Sequence, residues 1–155
     1  MAWVSGLAKA SCLSALIAIP ILTAPAFPQA TRFADRDRFR WPLRGEILEP
    51  FRPGENGVDI RAPVGEPVHA AADGECIFAG ELPPFGKLVL MRHPHGYVTA
   101  YAYNSELLVK QNDKVKRGEI IAKSGEGGTP PSPRLHFELR RDNKPLDPTK
   151  FLVPL

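Results

Sequence analysis

The sequence predicts an all-β domain, and three observations carry that reading. Short runs rich in Val, Ile, Leu, Phe and Tyr recur from about residue 41 onward, Gly and Pro punctuate the chain between them, and no stretch holds a helical period long enough for an amphipathic helix. Residues two apart on a strand share a face. In LHFELRR this places Leu135, Phe137 and Leu139 on an apolar side and Arg134, His136, Glu138 and Arg140 on a polar one. His136 and Arg134 therefore point the same way, toward a surface groove rather than the core.

Taken in chain order, residues 1–26 carry one charge, Lys9, ahead of the apolar run SCLSALIAIPILTAPAF and a small-residue site at Ala24-Pro25-Ala26. This is the pattern of a secretory signal peptide. Its apolar core, Ala10 to Leu22, is shorter than the roughly 20 residues of a spanning helix and contains Pro20. Cys12 precedes most of the apolar run and lacks the upstream Leu of a lipid-attachment site, so the expectation is export to the periplasm with no stable membrane anchor after cleavage. Residues 27–40, FPQATRFADRDRFR, are charged and without apolar periodicity and read as an exposed linker; residues 41–155 form the domain.

Within the domain the expected strands are Gly45 to Leu48, Val58 to Ile60, Pro67 to Ala70, Gly74 to Gly80, Lys87 to Arg92, Tyr97 to Asn104, Ile120 to Ser124 and Leu135 to Arg141. Turns fall at Ala72-Asp73-Gly74, Pro83-Pro84-Phe85-Gly86, Pro94-His95-Gly96 and the loop GEGGTPPSP, Gly125 to Pro133. In GYVTAYAYN, Tyr97, Thr99, Tyr101 and Tyr103 share one face, and Tyr101 and Tyr103 are expected to line the groove as broad contact residues.

Composition narrows the function classes. The whole chain has 155 residues and formal net charge +3, which becomes +2 without Lys9, and it lacks the dense Lys/Arg stripe of a nucleic-acid binder. Without the leader one cysteine remains, Cys76, in the apolar context ECIFAG, where a buried unreactive thiol is expected. A lipoyl or biotinyl carrier needs a lysine at a hairpin tip, and the candidate tips here are Pro94-His95-Gly96 and Asp73-Gly74. His69, His93 and His95 have no metal-ligand spacing and are expected to be structural or solvated.

The segments WPLRGEI, ENGVDI, APVGEPVHAAADGECIFAG, GKLVLMRHPHGYVTAYAYN, VKRGEIIAKSG and LHFELRRDNKPLDPTKFL, in that order from Trp41 to Leu152, together resemble the lysostaphin-like, or LytM-type, peptidoglycan endopeptidase domain. The resemblance implies an antiparallel barrel-sandwich fold with a central groove, where active members hold zinc. It also implies that most of the chemistry is replaced. The family's H-x-G-x-D motif aligns with Glu55-Asn56-Gly57-Val58-Asp59, its H-x-H with Arg134-Leu135-His136, and its catalytic histidine after Tyr-Ala with Tyr103. Only Asp59 and His136 survive, as vestigial ligand positions. Zinc hydrolysis needs a polarising metal and groups that manage protons, and Arg134 cannot accept a proton. The expectation is a domain with no catalytic residue, metal or cofactor, in which Arg134 takes the electrostatic role of zinc and pairs with Glu55 or Asp59.

Degenerate LytM domains of the EnvC and NlpD class activate cell-wall amidases, and the resemblance is to the EnvC type, without its coiled coil. It implies an inactive activator of a peptidoglycan amidase in cell-wall remodelling and daughter-cell separation. The expected partner groove is Glu55, Asp59, Tyr101, Tyr103, Arg134 and His136, with the amidase as protein partner and peptidoglycan as a further one. Two alternatives are a peptidoglycan-binding module without activator role and a zinc endopeptidase with a remodelled Glu55/Asp59/His136 site.

Overall fold

The computed structural model describes residues 39–153. The expected signal peptide, and the expected linker up to residue 38, lie outside them. Among the described residues there are twelve strands: β1 (Phe39–Arg40), β2 (Ile47–Glu49), β3 (Val58–Arg61), β4 (Pro67–His69), β5 (Gly74–Leu82), β6 (Gly86–Arg92), β7 (Tyr97–Leu107), β8 (Lys114–Val115), β9 (Ile120–Ser124), β10 (Arg134–Arg141), β11 (Lys144–Leu146) and β12 (Leu152–Val153). The two 3-10 turns, Pro94–Gly96 and Pro148–Lys150, are three residues each. No described helix is long and apolar enough to cross a membrane.

Ten of these strands run along one antiparallel path and its branches. The path is β2-β3-β10-β7-β6-β5-β8, with β11 on β10, and β9 joining β7 to β4. Each expected strand is present with its ends moved by a few residues. Those not expected, β1, β8, β11 and β12, are two or three residues long, too short for alternation to register.

One face of β3, β10, β7 and β6 carries the core. Val58, Ile60, Leu135, Phe137, Leu139, Val89 and Met91 are buried there against Val68, Ile121 and Ala122 of β4 and β9. Cys76 is a buried free thiol in the same cluster. The linker boundary needs correction: Phe39 is 1% exposed, and β1 pairs in parallel with β12. Its ring packs edge-on against Tyr97 at 5.2 Å and His93 at 5.4 Å. A lone Phe between arginines offers no periodicity, so only tertiary packing identifies it as core.

The tyrosines of β7 also differ from expectation. Tyr97 and Tyr101 are 1% and 0% exposed, so the face they share with Thr99 is the core face and not the groove. Burial is tolerable because the polar tips are satisfied. The Tyr101 hydroxyl accepts from the Ala71 N–H at 2.9 Å and lies 3.0 Å from Thr99 Oγ1, which is 2.8 Å from His93 Nε2; His93 Nδ1 is 2.8 Å from the Asp73 carbonyl. Burial pushes the Tyr101 phenol up to about 12 and lowers the His93 pKa, keeping both groups neutral. His93 is thus structural, as expected.

Phe137, fully buried and 5.3 Å from the Tyr101 ring, tests the core assignment. Phe137→Ala is expected to cost about 3 to 5 kcal/mol, measured as a lower urea midpoint with an unchanged slope.

Candidate functional site

The polar face of β10 builds the site. Register places His136 directly opposite Asp59 of β3, and Arg134 sits diagonally from Asp59, two residues along the same face. Asp59 divides its carboxylate between them: Oδ1 is 2.6 Å from His136 Nδ1, and Oδ2 accepts from Arg134 Nη1 at 2.9 Å. His136 Nε2 lies 3.2 Å from Glu138 Oε1, and Glu138 Oε2 accepts from Arg140 Nη1 at 2.5 Å. The result is a row of alternating charge, Arg134, Asp59, His136, Glu138, Arg140. Arg134 also holds the preceding loop, donating from Nη2 to Ser132 Oγ at 2.8 Å and from Nε to the Ser132 carbonyl at 3.2 Å.

The row sets its own protonation. Burial opposes charge on His136, but the hydrogen bonds and charges of Asp59 and Glu138 outweigh it and raise the imidazole to about 9. Burial likewise pushes Asp59 and Glu138 upward, and their cationic partners more than offset this, so both lie below the usual carboxylate range. At neutral pH His136 is therefore an imidazolium with both ring N–H groups donating to carboxylates.

Arg134 is 7% exposed, more enclosed than the open groove position expected for it. It pairs with Asp59, and Glu55, which is exposed, forms no ion pair with a described residue. The choice of partner follows from register, because Asp59 and Arg134 occupy paired strands while Glu55 precedes β3 in a turn. Gly57 lets β3 reach β10: a Cβ there would lie 2.3 Å from the Phe137 carbonyl oxygen.

Tyr103 leaves the face of Tyr101 through a backbone switch. Its φ of +65° interrupts the alternation of β7, and the β6–β7 register shifts at this point. Asn104 stabilises the irregularity, donating from Nδ2 to the carbonyls of Tyr101 at 2.8 Å and Lys87 at 2.9 Å. The Tyr103 ring is thereby delivered to 5.8 Å from His136, with Phe85 on another side of the imidazolium at 6.1 Å. Burial and then the Asp59 charge raise the Tyr103 pKa against the opposing charge of Arg134, so the phenol stays protonated.

Two depressions meet at His136. A polar cleft of about 300 Å³ is bounded by Glu49, Glu55, Asp59, Tyr103 and His136. An apolar trough of about 190 Å³ lies over Ala100 and Ala102, walled by Leu88 and Leu90 of β6, by Leu82 and Phe85, and by the charged row of β10. Of the six groove residues expected from sequence, the structure brings together Glu55, Asp59, Tyr103, Arg134 and His136 and excludes Tyr101. The trough residues were not anticipated. The two alanines alternate with the buried tyrosines and so mark the opposite face of β7, and Glu138 and Arg140 continue the polar face of His136.

The donor set does not fit zinc. A ligand imidazole needs a free lone pair, whereas both His136 nitrogens face carboxylates and both Asp59 oxygens are engaged, one by a guanidinium. Among the described residues no group of three or more His, Cys, Asp or Glu side chains is arranged to hold a metal ion.

Comparison with known proteins agrees with this fold. The model of Peptidase family M23 matches residues 53–148. The cell division protein DipM of Caulobacter vibrioides is 43% identical over 145 residues, covering 85% of this chain and 24% of DipM. The murein hydrolase activator NlpD of Escherichia coli is 39% identical over 118 residues, covering 74% of this chain and 31% of NlpD. The chain thus spans about a quarter to a third of the length of these curated relatives. Among solved structures, a zinc-containing peptidase from Vibrio cholerae superposes with a TM-score of 0.68 at 31% identity, over 72% of this chain and 39% of that one.

The ionic row makes two predictions. The folded chain holds a proton on His136 that the unfolded chain releases near 6.5, so this contribution is complete below about pH 6.5 and is lost as pH rises through about 9. Urea unfolding should show a decline on the order of 3 kcal/mol across that window, absent from His136→Gln, and NMR should show the ring doubly protonated at pH 7.5. Arg134→Ala, which leaves the enclosed Asp59 carboxylate one cation short, should lower stability by about 3 kcal/mol.

Proposed function

The chain belongs to peptidase family M23, and from that premise we propose that it is a catalytically inactive activator of a peptidoglycan amidase, exported to the periplasm. On this reading residues 1–26 are the signal peptide, residues 27–38 a linker, and the described domain the part that acts. The observation that carries the proposal is the saturated row Arg134–Asp59–His136–Glu138–Arg140. Within that row Asp59, His136 and Glu138 are each engaged by neighbours of opposite charge, which leaves exposed Glu55 as the carboxylate at a family ligand position that has no ion pair with a described residue.

A fixed row of this kind suits recognition better than turnover. Its charges change little during an encounter, and the adjoining apolar trough supplies area that a partner can bury. The names of the relatives support the same reading, since NlpD is a murein hydrolase activator and DipM a cell division protein. A segment of the amidase would occupy the groove.

The decisive assay is release of soluble fragments from purified peptidoglycan by a cognate amidase, with and without this protein, beside the protein alone and a chelator arm. Stimulation only when both proteins are present is the expected result. Release by this protein alone, abolished by chelator, would establish a zinc endopeptidase and sink the proposal.

Tyr103 separates recognition from folding. Tyr103→Gly accepts the positive φ without strain, so stability should change by less than about 1 kcal/mol, while amidase stimulation should fall at least tenfold through loss of the ring beside His136. A loss of fold in this variant, read by circular dichroism, would place Tyr103 among structural residues.

A further inference from the structure

Across the core from the trough, β4 and β9 cover the sheet with Val68, Ile121 and Ala122. At the edge of this layer the turn at residues 116–119 meets β1. The Arg40 N–H donates to the Ala71 carbonyl at 2.9 Å and the Gly118 N–H to the Ala70 carbonyl at 2.8 Å. The Arg40 side chain is one that the fold does not explain. It is half-buried, its Nε is enclosed without a hydrogen-bond partner, and it forms no ion pair with a described residue. Its guanidinium lies on the turn, since a Cβ on Gly118 would come 2.7 Å from Arg40 Nη1. Enclosing an unpaired N–H is costly, so such a group calls for a role outside packing.

The acids of this edge do not supply its partner. Three of them are folded back onto main-chain N–H groups: Asp73 Oδ1 accepts from Arg117 at 2.7 Å, Asp113 Oδ2 from Lys110 at 2.9 Å, and Glu119 Oε2 from Lys116 at 2.9 Å. A fourth, Glu75, is shared by Arg92 and Lys114. Lys110 and Lys116 are exposed, and neither forms an ion pair with a described residue. Carboxylates that could neutralise this edge are spent on its backbone instead.

Two large apolar side chains stand beside these cations. Ile120 follows the turn directly and is 44% exposed; Leu108 is 45% exposed and its N–H donates to the Ile121 carbonyl at 2.9 Å. Exposed aliphatics standing singly are ordinary. Next to cations that lack acids they form the combination that a lipid headgroup region accepts, phosphates meeting the cations and the first methylenes meeting the aliphatic tips. A guanidinium also matches two phosphate oxygens at once. Residues 1–38, with the apolar run of the leader, join the domain at this edge through Phe39.

We propose that the edge formed by Arg40, Lys110, Lys116, Arg117, Leu108 and Ile120 is a reversible docking surface for a bilayer of anionic phospholipid, with Arg40 as its phosphate fork. This goes beyond the activator reading and rests only on the export part of it, which brings the protein to a membrane. Because the edge and the trough lie on opposite sides of the core, a domain docked in this way keeps its groove open.

The test is co-sedimentation of the protein from residue 27 onward, which retains the buried core from Phe39 to Leu139, with vesicles of phosphatidylethanolamine and phosphatidylglycerol, beside vesicles of phosphatidylcholine alone. Binding to the first and not the second, weakened at high salt, is the expected result. Lys110→Glu/Lys116→Glu should weaken it by roughly tenfold or more, and Leu108→Ser/Ile120→Ser should weaken it too, with the fold checked by circular dichroism. Arg40→Gln should weaken it about fivefold and leave the urea midpoint unchanged, since the guanidinium has no ion pair to lose. A lower midpoint with unchanged vesicle binding would make Arg40 a packing residue and overturn the site.

Equal sedimentation with both vesicle types, or none with either, would also overturn the inference. Full competition by inorganic phosphate would reduce the edge to a free-anion site and overturn it as a membrane surface. Retention on purified peptidoglycan that is lost in the charge variant, with no vesicle binding, would assign the cations to the wall polymer instead. Amidase stimulation without vesicles should be equal for the wild type and Lys110→Glu/Lys116→Glu. Its loss in the variant would place the edge in the amidase contact and overturn the proposal. Its absence from both, with vesicle binding intact, would remove the activator reading and leave the membrane surface standing.

Discussion

The contact between Asp59 and the pair Arg134 and His136 is the constraint on which the site depends. One carboxylate joins β3 to β10, fixes the ring of His136, and anchors through Arg134 the loop that carries Ser132. Such a carboxylate is costly to enclose unless its charge is matched and its lone pairs are used. Here two cations match it, and the positive excess passes along β10 to Glu138 and Arg140. A divalent ion at this place would have to displace a guanidinium and remove a proton from an imidazolium that its surroundings hold to about pH 9.

The second determinant is a single residue of backbone geometry. Strict alternation along β7 would send Tyr103 into the core behind Tyr101. The positive φ at Tyr103, held by the Asn104 side chain and by the Tyr103 N–H donating to the Phe85 carbonyl at 2.9 Å, turns it out instead. Phe85 is itself placed by close packing of two glycine-bearing loops, since a Cβ on Gly86 would lie 2.3 Å from the carbonyl carbon of Gly127. Sequence features far apart along the chain thus converge on one imidazolium flanked by two aromatic rings.

These particulars explain what was legible beforehand. The strands were visible because alternation and Gly/Pro punctuation are local, and β10 was read correctly to the residue: Leu135, Phe137 and Leu139 inward, His136 outward. Pairing of Arg134 with an acid was legible as charge complementarity, but the choice of Asp59 over Glu55 needed the β3–β10 register. The face of Tyr97 and Tyr101 was misread because tyrosine is amphipathic. Period two shows that these residues share a side, yet only the hydrogen bonds through Thr99, Ala71 and His93 show that the side is the core. That same inversion hid the alanine floor, since small residues opposite tyrosines look like packing partners until the tyrosines are found inside.

The mixture of saturated charge and open apolar surface bears on how such a groove can discriminate. Enclosed ionic rows contribute little net stability against hydrophobic alternatives, so the row is better understood as specifying what the neighbouring trough accepts. An apolar trough of about 190 Å³ alone would take many hydrophobic segments. On the activator reading, the exposed carboxylates Glu49 and Glu55 beside it would disfavour a segment that brings negative charge there. The exposed carboxylates and the apolar floor are both positioned by the register of β3, β6, β7 and β10. The same strand β10 thus serves two faces, its apolar residues Leu135, Phe137 and Leu139 in the core and its polar residues in the row beside the trough.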